Sequence, residues 1–136
     1  MTRTLRLMAA AGAVALLGAL PLSLALGQGS GFTVDAALAA QGKKVYANKC
    51  STCHTIGQGV RAGPHLLGVV ERRDQTWLKS WLKDPTPMLQ NDSLAMALLA
   101  AAKGVKMPNM KLSERDIDAV MHYMAQETAK KQGGRD

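Results

Sequence analysis

The hydrophobic and polar positions change character once along the chain. From Leu7 to Leu26 the residues are almost all apolar, following a short basic start with Arg3 and Arg6. From Asp35 onward helical signals dominate, and the pattern predicts an all-α domain. Thr33 or Asp35 can cap a helix over about Ala36 to Lys49, with Leu38, Val45 and Tyr46 among its apolar positions. Asp74 or Thr76 can start another, carrying Trp77, Leu78, Trp81 and Leu82 at i, i+1, i+4 and i+5, a stripe typical of core packing. Asp84-Pro85-Thr86-Pro87 ends that helix, because a proline disfavours helical geometry in the residue before it, and leaves Met88 in an extended segment. Asn91 or Asp92 caps a helix rich in Ala and Leu that runs to about Lys103, and Gly104 stops it.

Ser113 can cap a final helix, with Asp116 three residues on in place of the usual Glu. Ile117, Val120, Met121 and Met124 form its apolar stripe, with Tyr123 beside them. Gly42 and Tyr46 share one face of the first helix, where a glycine lets another helix cross closely. The final helix is expected to make that crossing. The organisation is therefore a hydrophobic segment over 1–27, a linker over 28–34 containing Gln-Gly-Ser-Gly, an all-α domain over 35–129, and a polar tail over 130–136.

The N-terminal segment is an export signal or a membrane anchor. At about 20 residues it is long for a signal core and just long enough to span a bilayer. Pro21 and Ser23 near its end, and the small-x-small runs Ser23-Leu24-Ala25 and Ala25-Leu26-Gly27, favour cleavage over a retained tether through residues 7–26. Either outcome exports the domain to the periplasm or its equivalent and leaves the basic start in the cytoplasm.

Composition sharpens the picture in two ways. Only Phe32, Tyr46, Trp77, Trp81 and Tyr123 are aromatic, so a domain of roughly 100 residues has a modest core unless a large apolar group completes it. Net charge is +7. Without residues 1–27, which hold Arg3 and Arg6 and no acid, 15 basic residues face 10 acidic ones. A basic surface suits an acidic protein partner, anionic lipid or nucleic acid. The basic residues here are scattered singly and in pairs with few aromatics between them, so nucleic acid is not expected.

The candidate chemistry lies in Cys50-Ser51-Thr52-Cys53-His54, a C-x-x-C-H run holding both cysteines of the chain. Two thiols three residues apart on one helical turn can each add to a vinyl group of one haem, and His54 then lies beneath the ring as an axial ligand. A thioredoxin-like pair would want a βαβ context, a structural zinc site four closely spaced ligands, and a disulfide here would staple only a four-residue loop. None suits the surroundings as well as haem.

With these residues in view, the stretch from about 36 to 127 resembles the class I monohaem cytochromes c. Gly42…Tyr46 runs into the C-x-x-C-H motif. Gly63-Pro64-His65-Leu66-Leu67-Gly68 is similar to that family's G-P-x-L-x-G loop, and Met107-Pro108 precedes a terminal helix containing Tyr123. The resemblance implies a small helical domain wrapped round one haem c, covalent through Cys50 and Cys53. It further implies that Pro64 accepts a hydrogen bond from the proximal His54, that Leu66 packs on the haem, and that Met107 is the distal ligand, with Met110 the competitor. Met96, Met121 and Met124 are expected to fill core space. The three glycines of the Thr55–Gly63 loop suit a tight wrap round a haem edge. A haem propionate is one candidate partner for the indole N–H of Trp77 or Trp81, with Arg72 and Arg73 as cationic alternatives. His65 and His122 are expected to be surface or core histidines.

Iron held by an imidazole and a thioether has no open position, so the expected function is electron transfer rather than catalysis, with a redox protein of acidic docking surface as partner. A haem-based gas sensor or peroxidase with a displaceable sixth ligand is the alternative. A thiol–disulfide oxidoreductase is a third reading, and it requires free thiols and no haem.

Overall fold

A computed structural model describes residues 31–134. Among them are six helices: α1 Ala36–Lys49, α2 Val69–Arg72, α3 Gln75–Lys83, α4 Pro85–Asn91, α5 Ser93–Ala101 and α6 Glu114–Gly133. The described residues contain no strand. The hydrophobic segment before residue 28 and the first three residues of the linker lie outside them. Among the described residues no helix is long and apolar enough to cross a membrane.

Capping residues set the helix starts. The Asp35 carboxylate accepts the N–H groups of Ala37 and Leu38 at 2.8 and 2.9 Å, and the Leu38 hydrogen bond chiefly holds its pKa below the ordinary carboxylate value. Asp74 caps α3 through the Trp77 N–H, and Asp92 caps α5 through the Ala95 N–H. Ser113 and Asp116 make a reciprocal capping box at the start of α6.

Four elements depart from the sequence reading. Asp84-Pro85 ends α3 as expected, but Asp84 also caps a new helix, with Pro85 in the first turn where its missing N–H costs nothing. Met88 is therefore helical, not extended. The short α2 follows directly on the G-P-x-L-x-G loop, too brief to leave a periodic signal. Met96 is 45 % exposed on the outer face of α5, so of the three methionines assigned to the core only Met121 and Met124 belong there. The last helix runs four residues into the expected tail. Its extension is held by the buried Thr128, whose hydroxyl accepts the Gly68 N–H at 2.9 Å, and by the Lys130–Glu127 ion pair.

The frame is the crossing of α1 and α6. Ala39, Gly42 and Tyr46 of α1 are buried, as are Ile117, Ala119, Val120, Met121 and Met124 of α6. Tyr46 and Tyr123 meet at the crossing with ring centroids 5.3 Å apart. A Cβ at Gly42 would stand 1.9 Å from the Ala119 carbonyl oxygen, so only glycine lets the backbones approach this closely. The expected crossing is thus present at the expected residue. On the other side of α6, Lys79 of α3 pairs with Asp118 at 2.7 Å and Lys83 with Glu114. Both pairs are solvent-exposed, and each contributes less than about 1 kcal/mol. Burial of Leu78 and Leu82 is what seats α3. The α4–α5 hairpin packs on itself and closes the far side of the space that these elements enclose.

Gly42→Ala is expected to cost about 3 kcal/mol by overpacking and to lower Tm by more than about 10 °C. Thermal melts of the two proteins, followed by circular dichroism, check this; an unchanged Tm would mean that the helices do not cross at Gly42.

Candidate functional site

The last turn of α1 builds one wall of the site. The N–H groups of Cys50 and Ser51 both donate to the Tyr46 carbonyl, at 2.9 and 3.0 Å. Those of Cys53 and His54 donate to the Cys50 carbonyl, at 3.1 and 2.9 Å. This single tight turn turns both thiols and the imidazole toward one cleft. Two side chains brace the turn from behind: the Tyr46 hydroxyl donates to the His54 carbonyl at 2.8 Å, and Arg61 Nη1 donates to the Ser51 carbonyl at 2.6 Å. Cys50 is buried, and burial pushes its thiol up to about 11, whereas Cys53 is exposed.

His54 is fixed by its neighbours in the 55–68 segment. Its Nδ1 lies 2.8 Å from the Pro64 carbonyl oxygen. A carbonyl only accepts, so the proton resides on Nδ1 and the Nε2 lone pair is left for a metal. The ring rests on Gly63, where a Cβ would come within 2.3 Å of His54 Cε1. Backbone bonds from Gly63 N–H to the Cys53 carbonyl (2.8 Å) and from Leu66 N–H to the Thr55 carbonyl (2.7 Å) close the loop against the motif. Gly57 and Gly59 supply the positive φ angles of its outer bend.

The cleft encloses about 1250 Å³, counting the part open to solvent. Leu66 and Val69 line it beside the motif, Leu78 and Leu82 of α3 and Val120 and Met124 of α6 line its inner side, and Leu98 and Leu99 of α5 line its outer side. Met107 lines it as well, and Met110 does not. The Met107 Sδ lies 3.1 Å from Trp81 Nε1, which donates to it. Arg72 and Arg73 also border the space. Two thiols, an imidazole with a free Nε2, a thioether, apolar walls and a pair of guanidinium groups form a donor set that fits a flat apolar macrocycle with a central iron and acidic edge groups.

The cleft therefore gathers Cys50, Cys53, His54, Pro64, Leu66 and Met107, all six residues singled out in the sequence. The indole groups differ from expectation. Neither N–H is left for a propionate, because Trp77 Nε1 donates to Asp92 at 3.0 Å and Trp81 Nε1 to Met107. These partners are 15 and 26 residues away in sequence, and no local pattern could have paired them. His65 lines the cleft with a buried Nδ1 that has no hydrogen-bond partner. His122 is structural: its Nδ1 accepts the Asp35 N–H at 2.9 Å and its ring lies 4.7 Å from Phe32.

Known proteins give the same picture. Residues 39–128 match the family model for cytochrome c. A cytochrome c from Rhodothermus marinus superposes with a TM-score of 0.68 at 30% identity, over 74% of this chain and 84% of that one. The cytochrome c domain of a Pseudomonas putida protein is 40% identical, with a TM-score of 0.61 over 67% of this chain and 91% of that domain. An engineered Rhodothermus marinus cytochrome c bound to a carbene intermediate is 28% identical, with a TM-score of 0.64 over 73% of this chain and 84% of that one. Comparison with curated proteins gives no match. The helical fold, the C-x-x-C-H turn and the apolar cleft above it agree with these likenesses: the chain belongs to the cytochrome c family, whose members bind haem c covalently through two cysteines spaced as Cys50 and Cys53 are here.

Proposed function

We propose that this protein is an exported one-electron carrier of the periplasm, with haem c joined to Cys50 and Cys53 and iron held between His54 and Met107. Bound haem c supplies one redox-active iron that exchanges a single electron. The observation that carries the reading is the His54–Pro64 hydrogen bond of 2.8 Å, together with Met107 on the same cleft. Pro64 fixes the imidazole tautomer and makes Nε2 a stronger donor. Met107 would offer its thioether as the second ligand, which favours the reduced metal. Trp81 donates its N–H to that sulphur, drawing off electron density and holding the side chain in place. Leu78, Leu82, Leu98 and Leu99 exclude water from the apolar interior.

Arg72 and Lys106 are exposed at the border of the cleft, and Lys103 and Lys111 are exposed nearby in the chain segment that carries Met107. Cationic groups so placed steer encounter with an acidic redox partner, which sets association rate more than affinity. The Leu7–Leu26 run delivers the domain across the membrane and is removed or kept as a tether.

The ferrous holoprotein is expected to show a low-spin c-type visible spectrum that carbon monoxide leaves unchanged, and Met107→Ala to form the carbonyl complex. A natural protein that binds the gas readily would overturn the closed site and favour a sensor or peroxidase. Trp81→Phe is expected to lower the reduction potential by on the order of tens of millivolts, the scale of one lost hydrogen bond, as read by potentiometric titration. A potential that does not move would remove the N–H···S bond from the account.

A further inference from the structure

The segment from Thr55 to Gly68 carries the Pro64 carbonyl that orients His54, and its anchorage is uneven. Gly63 N–H donates to the Cys53 carbonyl at 2.8 Å, and Leu66 N–H to the Thr55 carbonyl at 2.7 Å. Arg61 reaches the Ser51 carbonyl. These bonds tie the segment to the C-x-x-C-H turn and to itself. The tie to α6 comes from Gly68, whose N–H donates to Thr128 Oγ1 at 2.9 Å, from a residue 60 positions away. Both groups are buried, Thr128 to 1 % exposure. Gly68 adopts a left-handed φ of 70° and starts α2. Its carbonyl accepts the Arg72 N–H at 2.9 Å and Arg72 Nε at 3.2 Å. One glycine thus joins the loop, α2 and α6.

A valine would fill the space of Thr128 equally well. Core packing has no need of the hydroxyl, and its lone pair goes to the loop. A second contact lies three residues on. A Cβ at Gly57 would stand 3.1 Å from Lys131 Cδ and 3.5 Å from Leu67 Cδ1, so the Lys131 stem and Leu67 both rest on that bend. Thr128 and Lys131 are neighbours on one face of α6. Together they hold the loop at Gly57 and at Gly68, and Pro64 lies between those two points.

We propose that Thr128 and Lys131 form a clamp that sets the strength of the His54–Pro64 hydrogen bond. Both are positioning residues: they touch the loop, and the loop touches the imidazole. The inference rests on His54 being the ligand of the proposed carrier. A carbonyl held 2.8 Å from Nδ1 makes Nε2 the stronger donor, and a stronger donor favours the oxidised metal. Loosening the clamp lets the Pro64 carbonyl draw back, weakens that donor and moves the potential upward. Among the described residues none after Met124 lines the cleft. The final turns of α6 thereby act on the metal-binding nitrogen without reaching it.

The test uses the ferrous holoprotein, with NMR of the His54 Nδ1 proton and potentiometric titration as its two readouts. Thr128→Val keeps the volume and removes the acceptor. It is expected to speed solvent exchange of that proton about tenfold, the scale of one hydrogen bond, and to raise the reduction potential. Thr128→Ser returns the hydroxyl and should restore both. Lys131→Ala should shift both in the same direction, whereas Lys131→Met keeps the stem without the charge and should shift neither. This second pair tests the clamp even where Thr128→Val does not fold. Ile117→Val, at the helix crossing, is the control for stability alone: it should lower Tm and leave exchange and potential as they are. Unchanged readouts in Thr128→Val, no restoration by Thr128→Ser, equal shifts in the two Lys131 variants, or a matching response in Ile117→Val would overturn the proposal. Failure of the carrier reading would appear separately, as carbon monoxide binding by the natural ferrous protein.

Discussion

The site depends on how closely α1 and α6 approach. Both helices bring apolar residues to the crossing, but contact at backbone distance is possible only because Gly42 has no side chain to meet the Ala119 carbonyl. That contact fixes α1, and α1 ends at Cys50. The position of the C-x-x-C-H turn is thus inherited from a packing event two turns earlier. Tyr46 links the two: its ring packs against Tyr123 at the crossing and its hydroxyl holds the His54 carbonyl. Burial pushes the pKa of that hydroxyl up, so it stays protonated and remains a donor across the physiological range. The second close approach follows the same logic. Gly63 lets the His54 ring rest against the loop, and the Pro64 carbonyl then holds the Nδ1 proton and leaves Nε2 free.

A large part of this was legible in the sequence, for identifiable reasons. The C-x-x-C-H turn is local, so its five residues define its geometry. Caps at Asp35, Asp74, Asp92 and Ser113 are local as well, and each was among the positions that the sequence offered. The Gly42 crossing was legible because a glycine and an aromatic one turn apart on a helix mark a close contact. Other features were hidden by two physical effects. A proline can end one helix and open the next, so Asp84-Pro85 concealed α4 and placed Met88 wrongly. An Ala- and Leu-rich helix has no polar face to orient it, so nothing in the sequence marked Met96 as solvent-facing. The Trp77–Asp92 and Trp81–Met107 bonds join positions whose proximity only the folded chain creates.

The α4–α5 hairpin illustrates a division of labour. It makes no substantial helix-to-helix contact except with α3 and within itself. The frame of α1 and α6 stands without it, while the hairpin supplies Leu98 and Leu99 to the cleft and Asp92 to the Trp77 indole. The first unit holds most of the buried core, and the second supplies part of the cleft wall facing Met107. Substitutions in the hairpin are free to alter redox properties with little effect on the frame.

The fastening of Asp35 to His122 joins residues 87 positions apart. Contacts of that separation repay their loop-closure entropy late in folding, after local turns have formed. α6 is the last of the described helices, so the frame cannot close until the chain has been made at least as far as His122. In the interval the Cys50–His54 turn exists on a chain whose cleft is still open on the α6 side. Closure, by contrast, buries Cys50 and raises its thiol pKa. The topology therefore leaves the Cys50 thiol accessible until α6 packs, and that packing is what buries it.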